Sequence, residues 1–166
     1  CLTMTKRNKQ DDPSENPLYF EDLSEGDRFS FGSRTVTREE ILAFAEQYDP
    51  QWFHVDESAA QKSFFEGLVA SGWHTVSVTN RMLIDDVFSN VAVMGGSGVD
   101  DLRWPKPVRP GDTLSGSVKI ADRSTGRHDN RGYIELDVVA NNQDSATVLS
   151  MTSTLLIKPA GESPGP

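Results

Sequence analysis

A carboxylate and an imidazole lie close together within residues 48–74, ahead of a step of two small residues. Asp49 precedes His54 by five positions, and Ser71-Gly72 leads into an apolar run. Imidazoles and carboxylates are the side chains that most often transfer protons in catalysis. A glycine N–H at a helix start can donate to a developing anion. Asp49, His54 and Gly72 are therefore candidate catalytic groups of a proton-transfer site, although on spacing alone Asp49 could equally be a cap or turn residue, His54 a core side chain and Gly72 a packing requirement.

A capped helix is predicted to position the acid. Thr37 and Glu40 have the spacing of a capping box, which indicates a helix start. Pro50 prevents this helix from continuing and favours an extended backbone at the preceding residue. We therefore expect Asp49 at a helix exit, where its side chain can point into a cleft.

A second helix is predicted to begin at the Ser71-Gly72 step and to close at residues 89–90. Its apolar residues are spread around most of its circumference, which is typical of a buried helix. Between the two helices, Asp56 is expected to cap a short helix that reaches about Lys62.

The remaining chain predicts an antiparallel sheet. Phe29 and Phe31 alternate with polar residues as in a half-buried strand, and we expect the glycines of residues 95–98 to mark a loop. Three later stretches alternate in the same way, at residues 114–120, 134–140 and 149–157. Helices followed by such strands indicate an α+β fold, with a curved sheet around a buried helix and an edge suited to a second subunit.

The length of 166 residues suits a single domain. We predict a flexible arm over residues 1–17, one domain over residues 18–159 and a flexible tail over residues 160–166. Cys1 is the only cysteine, so an internal disulfide is excluded, as is a cysteine nucleophile in the body of the fold.

The charge and hydropathy of the chain argue against two classes of partner. A formal net charge of −9 does not suit general binding to nucleic acid, which depends on clustered cations. No apolar run approaches the roughly 18 residues of a membrane span, and the opening residues lack the apolar core of a secretion signal. We expect a cytoplasmic protein with neither nucleic-acid nor membrane partners.

Four separated motifs agree in order with one known family. They are the turn at residues 25–27, the Asp49-to-His54 spacing, and residues 65–74 and 102–114. Together they resemble the MaoC-like dehydratases, relatives of the (R)-specific enoyl-CoA hydratases, over about residues 20–157. The resemblance implies a hotdog fold, a long central helix wrapped by an antiparallel sheet, usually paired as a dimer. It also supports Asp49 and His54 as the catalytic pair.

Four positions depart from the pattern of that family. Gln51 and Trp52 replace its Asn-Pro pair, and the resemblance implies that Gln51 makes the hydrogen bond of the asparagine. Ser71 stands where the family favours a histidine. Asn80 stands where the best-studied hydratases carry a serine that helps orient the site. These departures leave the identity of the substrate open.

Polar, cationic and aromatic side chains near the catalytic pair are the candidates for substrate binding. They are Gln51, Ser71, Trp73, Asn80, Arg103, Lys106 and Arg109. The three cations could bind coenzyme phosphates, although cations among prolines are more often only solvated. His74 is expected to be structural and His128 to be solvated.

The predicted activity is reversible hydration of a 2-enoyl-CoA thioester, or dehydration of a 3-hydroxyacyl-CoA. The substrate partner is an acyl-CoA or acyl-carrier thioester, and the enzyme is expected to be a homodimer or a higher even oligomer. Acid-base chemistry needs no cofactor and no metal, although Asp49, His54, Asp56 and His74 could be imagined as ligands. Two alternatives stay open: an acyl-CoA thioesterase, and a non-catalytic module that binds acyl thioesters.

Overall fold

A computed structural model of the protein describes residues 16–161, and most of the predicted arm and tail lies outside these residues. The strands are β1 (Arg28–Thr35), β2 (Val93–Arg103), β3 (Thr113–Ser124), β4 (Gly132–Asn141) and β5 (Thr147–Ile157). The helices are α1 (Arg38–Tyr48), α2 (Trp52–Val55), α3 (Glu57–Ala60) and α4 (Gly72–Asp86), with 3-10 turns at Phe20–Asp22 and Phe88–Asn90. None of these helices has the length and apolar character needed to cross a membrane.

The five strands form one sheet in the order β1-β3-β4-β5-β2. Every neighbouring pair is antiparallel. Within the part of the chain that the structure describes, β1 and β2 are edge strands with a strand neighbour on one side only.

The core lies between α4 and the sheet. Val78, Met82 and Leu83 of α4 are buried, and α4 packs on β1, β3 and β5. Alternate residues of the three central strands complete this core, among them Leu114, Val118, Ile120, Ile134, Leu136, Val138 and Leu149. Because successive strand residues point to opposite faces, this pattern follows from the alternation in the sequence. The predicted α+β fold, a helix wrapped by a curved antiparallel sheet, is confirmed.

The capping box at the start of α1 forms as predicted. The hydroxyl of Thr37 accepts the Glu40 N–H at 3.2 Å, and the Glu40 carboxylate accepts the Thr37 N–H at 3.0 Å. The helix ends at Tyr48, two residues before Pro50, and Asp49 is its C-cap with φ −152° and ψ 69°. Asp49 thus occupies the helix exit that the sequence predicts.

The prediction of a loop over residues 95–98 is wrong. These residues belong to β2, where Gly95 pairs with Leu156 and Gly98 pairs with Thr154 of β5. A ladder uses only backbone groups, so glycines can take part in it, and here they accompany register shifts typical of bulged edge strands.

Helix α4 is shorter and less buried than predicted. It ends at Asp86, and a separate 3-10 turn follows. Trp73, Asn80 and Ile84 are exposed, because the sheet of one chain covers only one side of the helix. The opposite side of α4 is open to solvent in the single chain.

Candidate active site

The Asp49 carboxylate and the His54 imidazole lie 3.6 Å apart, measured from Oδ2 to Nε2. The end of α1 supplies Asp49, and the short helix α2 supplies His54. The Asp49 side chain is 24% exposed and the His54 side chain 8%, so the pair opens to solvent mainly at the carboxylate. The separation is too long for a direct hydrogen bond, but one water molecule can bridge two such groups.

A backbone carbonyl fixes the tautomer of His54. Nδ1 of His54 lies 2.7 Å from the carbonyl oxygen of Val69. A carbonyl oxygen can only accept a hydrogen bond, so Nδ1 must carry the proton. In the neutral ring, Nε2 then has an available lone pair on the side of Asp49. Nε2 is therefore the atom of His54 that can accept a proton from a bound water.

Ser71, the N-cap residue of α4, holds the carboxylate of Asp49. Its hydroxyl donates to Asp49 Oδ2 at 2.7 Å and accepts the Trp73 N–H at 3.3 Å. Ser71 is 0% exposed. This serine, predicted to bind substrate, is instead seen to contact the candidate acid, through the same oxygen that faces His54.

Gly72 is the first residue of α4, where the N–H groups have no partner within the helix. No group of the described residues accepts a hydrogen bond from this N–H. A Cβ atom at position 72 would lie 2.5 Å from the indole ring of Trp104. Contact with Trp104 therefore requires a glycine here, and the available amide lies beside an aromatic wall.

Asp49, His54 and Gly72 line one cavity of about 570 Å³. This volume lies within the range of about 300–1,000 Å³ that is usual for small-molecule sites. Lys106 and Arg109 also line the cavity, as two of the predicted substrate-binding cations. Its aromatic lining consists of Phe53, Phe64, Phe65, Trp73 and Trp104. An acid, an imidazole and a backbone donor thus share an apolar cavity with two cations.

Four of the predicted substrate-binding residues do not line this cavity: Ser71, which contacts Asp49, and Gln51, Asn80 and Arg103. Gln51 is exposed next to the pair but does not line the cavity. Arg103 is exposed, and its guanidinium donates to the carbonyl of Leu102 at 3.0 Å. Asn80 lines a different cavity of about 280 Å³ between α4 and the sheet. The structure does not place the side chains of Gln51, Asn80 and Arg103 in the cavity that Asp49 and His54 line.

Four residues that contribute to the site are not among those predicted from the sequence. The Val69 carbonyl cannot be found from side-chain types, because every residue presents the same group. Trp104 lies within the 102–114 motif, but its contact with Gly72 depends on the fold. The adjacent Phe64 and Phe65, shortly before a glycine, are a detectable signal of an aromatic loop near the site.

His74 packs close to the site without lining the cavity. Its buried ring stacks on Phe44, with centroids 4.7 Å apart and an interplanar angle of 7°. Its Nδ1 has no hydrogen-bond partner among the described residues. Burial lowers the pKa of His74 below its ordinary value, Glu40 opposes this shift, and Arg34 adds to it. The ring is therefore held neutral as part of the helix packing.

The carboxylate and imidazole groups do not gather as metal ligands. Asp56 is engaged as the N-cap of α3, where its Oδ1 accepts the Ala59 N–H at 2.9 Å. Across residues 16–161, no three or more His, Cys, Asp or Glu side chains converge in a group that could hold a metal ion.

Comparison with known proteins identifies the family. Residues 23–142 match the family described as "MaoC like domain". The chain belongs to this family. The uncharacterized protein YdeM of Bacillus subtilis (strain 168) is 30% identical over 141 residues, which cover 85% of this chain and 99% of that protein.

Solved structures agree with this assignment. The MaoC-like dehydratase from Rhodospirillum rubrum has a TM-score of 0.79 and 35% identity, over 87% of this chain and 99% of that one. The (R)-hydratase from A. caviae involved in PHA biosynthesis has a TM-score of 0.66 and 20% identity, over 84% of this chain and 99% of that one. At 20% identity, the similarity to the A. caviae hydratase shows the fold alone. The resemblance to MaoC-like dehydratases and the hotdog fold are confirmed.

The region matched by the MaoC-like family contains every residue that lines the candidate site, from Asp49 to Arg109. Membership of this family supports hydration or dehydration in general. The acyl group, the carrier and the roles of individual residues in this MaoC-like domain are matters for proposal.

Proposed function

We propose that this MaoC-like domain catalyses the reversible hydration of a 2-enoyl-CoA thioester. The observation that carries the proposal is the meeting of three groups in one cavity: the Asp49 carboxylate, the lone pair of His54 Nε2, and the available N–H of Gly72. Hydration needs a base for water, a proton donor for the α-carbon, and a donor to the thioester oxygen. These groups can supply all three.

In the hydration direction, a water molecule hydrogen-bonds to Asp49 and to Nε2 of His54. Nε2 accepts one water proton while the water oxygen bonds to the β-carbon, and the electrons of the double bond move toward the thioester oxygen. The Gly72 N–H donates to that oxygen as it becomes negative. The proton on Nε2 then passes to the α-carbon, which regenerates the neutral imidazole and yields the 3-hydroxyacyl thioester. The same steps in reverse dehydrate it.

Asp49 has two tasks in this mechanism. Its carboxylate orients the water, and its negative charge stabilises the imidazolium that exists between the two proton transfers. Ser71 is a positioning residue, because its hydrogen bond of 2.7 Å fixes the carboxylate oxygen that faces His54. The tautomer set by Val69 keeps the basic nitrogen directed at the water.

The proposed assembly is a homodimer that pairs through the β2 side of the sheet. β2 is an edge strand of 11 residues, and Val93, Met94 and Val99 on it are exposed. A long unpaired edge with exposed apolar side chains favours pairing with another chain. A second copy of the same chain, related by a twofold axis, would cover this edge in both subunits.

A substrate panel tests the proposed reaction. We expect the absorbance of the conjugated enoyl thioester to fall when the protein is added to short, medium or branched 2-enoyl-CoA. Release of free thiol from a saturated acyl-CoA would favour the thioesterase alternative instead. Binding of acyl-CoA without turnover of any of these thioesters would favour the binding module.

A further inference from the structure

The loop between α3 and α4, residues 61–71, contacts His54 in two ways. The Val69 carbonyl accepts the Nδ1–H of His54 at 2.7 Å. The ring of Phe65 packs on the ring of Phe53 with centroids 5.6 Å apart, and Phe53 in turn packs against the imidazole of His54 at 4.5 Å. The position of this loop therefore sets the orientation of the proposed base.

An arginine from outside the loop holds it at Phe65. The Arg109 guanidinium donates through Nη2 to the Phe65 carbonyl at 2.8 Å, and its Nη1 lies against Gly67, where an added Cβ would be 3.4 Å away. Among the described residues, no backbone N–H donates to the Phe65 carbonyl. Arg109 therefore supplies the hydrogen bond that ties residue 65 to the turn on which the arginine lies.

The loop depends on such contacts because its backbone includes an unfavourable conformation. Glu66 has a φ of 55°, in the left-handed region that residues other than glycine rarely adopt. A conformation of this kind persists only where the surrounding structure holds it. Arg109 bonds to Phe65 on one side of Glu66 and lies against Gly67 on the other. The guanidinium thus spans the strained residue.

The turn that carries Arg109 is itself fixed. The Arg109 N–H donates to the Asp112 carboxylate at 2.9 Å, and the Asp112 N–H donates to the Arg109 carbonyl at 3.0 Å. The carbonyl of Val108, the preceding residue, accepts the Ala70 N–H at 2.9 Å, directly after Val69 in the loop. Residues 108–112 are therefore a firm support from which the Arg109 side chain reaches the loop.

We propose that Arg109 is a positioning residue, which holds the loop so that the Val69 carbonyl keeps Nδ1 of His54 protonated and Nε2 available to water. The inference rests on the proposed hydration activity and assigns Arg109 to the base rather than to the substrate. Misplacement of a reacting group by about 1 Å can cost about a hundredfold in rate, so loss of this tie should lower kcat. A cation that only bound the substrate would act on KM instead.

Steady-state hydration of 2-butenoyl-CoA by Arg109→Met tests this assignment, after circular dichroism has shown that the variant is folded. We expect kcat to fall by about tenfold while KM changes by less than about twofold. Arg109→Lys keeps a donor on a slightly shorter side chain, so its kcat should lie between those of Arg109→Met and the wild-type protein. The matched control is Arg127→Met, which removes an exposed arginine in the turn between β3 and β4 and should keep both constants.

The tautomer of His54 gives a second readout that needs no turnover. Proton–nitrogen correlation spectra of isotope-labelled protein show which ring nitrogen carries the proton, and His54→Gln assigns the signals among the three histidines of the chain. At about pH 8.5, where an ordinary imidazole is neutral, we expect a protonated Nδ1 in the wild-type protein. In Arg109→Met, the nitrogen shifts of His54 should move toward those of a mixture of both tautomers.

Lys106→Met is the control for the loss of charge in the spectra, because it removes another cation from the lining of the same cavity. It should keep the wild-type signals of His54, since the proposed effect of Arg109 depends on its hydrogen bond to the loop and not on its charge.

Unchanged His54 signals in a folded Arg109→Met variant would overturn the inference. With a raised KM, they would mean that Arg109 binds the substrate; with a lowered kcat, they would mean that it acts on the reaction other than through His54. Changed signals with the wild-type kcat would also overturn it, because the orientation of His54 would then not matter for turnover. If Arg109→Met does not fold, the same criteria apply to Arg109→Lys.

The proposed reaction can fail separately from the role of Arg109. If the wild-type protein hydrates no enoyl thioester while Arg109→Met changes the His54 signals, the positioning of His54 stands and the proposed reaction fails. If the wild-type protein hydrates 2-butenoyl-CoA and Arg109→Met keeps both kcat and the signals, the reaction stands and the role of Arg109 fails.

Discussion

At the scale of single residues, the proposed proton-transfer pair is fixed by two hydrogen bonds to neighbours that have no proposed role in the chemistry itself. Ser71 holds the Asp49 oxygen that faces His54, and the Val69 carbonyl holds Nδ1 of the imidazole. Both candidate groups are thus oriented by the protein itself. A small displacement of a positioned group can reduce the rate by orders of magnitude, so the neighbours matter for catalysis.

Ser71→Ala is expected to reduce kcat for hydration by about ten- to a hundredfold, because the Asp49 carboxylate loses the donor that fixes it. KM should change little, since Ser71 contacts the acid and does not line the cavity. Steady-state kinetics with a 2-enoyl-CoA give both values. A rise in KM with unchanged kcat would show that Ser71 binds the substrate instead.

His74 should make the stability of the protein depend on pH. Burial lowers the pKa of His74 in the folded state, so below about pH 6.5 the unfolded state binds more protons than the folded state. The free energy of unfolding is therefore unaffected by this group above that pH and falls as pH decreases toward the folded pKa. We expect the urea midpoint to drop more in the wild-type protein than in His74→Phe between about pH 7.5 and about pH 5.5.

The control for this prediction is His128→Gln, which changes an exposed histidine in the turn between β3 and β4. It should keep the pH dependence of the wild-type protein. Equal drops in the midpoint for His74→Phe and the wild-type protein would contradict the account of His74.

The sequence predicts the chemistry-bearing side chains better than it predicts their supports. Asp49 and His54 can be singled out because their types suit proton transfer and their spacing matches the family pattern, and the structure brings them to 3.6 Å. Val69 cannot, because it acts through its backbone. Neither Gln51 nor Asn80 lines the cavity, so the structure adds no support for their substrate-binding roles. Those roles stay predictions.

At the scale of elements, helix ends and strand contacts decide where the site forms. The exit of α1 and the start of α4 come together because α4 packs on the sheet and α1 contacts α4. The backbone of β3 at Gly116 is approached so closely by its neighbours that a side chain would not fit there. A Cβ atom at Gly116 of β3 would lie 2.5 Å from the ring of Phe31.

Gly116→Ala is expected to lower the free energy of unfolding by about 1–3 kcal/mol, because the added methyl overpacks the contact between β3 and its neighbours. Gly98→Ala is the matched control, since a Cβ atom at Gly98 of β2 would meet nothing within 4 Å. Urea unfolding compares the two variants with the wild-type protein. Equal effects of the two substitutions would contradict the packing described for β3.

Element types are predictable from the sequence where side chains decide them. The capping box of α1 and the alternation of the central strands give the correct elements, because each depends on residue types at fixed spacing. β2 is missed because its glycines pair through the backbone alone. The short α2 that carries His54 is also missed, since its four residues offer no helical period.

At the scale of the whole molecule, a single chain leaves two adjoining surfaces uncovered. The outer edge of β2 has no strand partner among the described residues, and the exposed side of α4 borders the cavity of about 280 Å³. That cavity is lined mainly by apolar residues, including Ile84 of α4 and Val93 of β2, with Asn80 and Ser153 as the polar exceptions. The sequence pattern can indicate a need for a second subunit but cannot locate the surface.

The proposed homodimer predicts a mass in solution of twice 18.3 kDa. Val99→Lys should shift the population toward the monomer, because a lysine on an edge strand opposes pairing between edges. Light scattering after size exclusion measures the mass of both proteins. A monomeric wild-type protein would contradict the proposed assembly. The assembly would also be contradicted if the two single variants, Val99→Lys and Met94→Lys, both stayed fully dimeric.

The central claim is that Asp49 and His54 act together on water in the cavity, and it is tested most directly by hydration kinetics of Asp49→Asn and His54→Gln. Loss of 2-enoyl-CoA absorbance is followed for the wild-type protein and both variants, after circular dichroism has shown that each is folded. Each substitution is expected to reduce kcat by about a hundredfold or more, the usual contribution of a general acid or base. Turnover by either folded variant at the wild-type rate would contradict the claim.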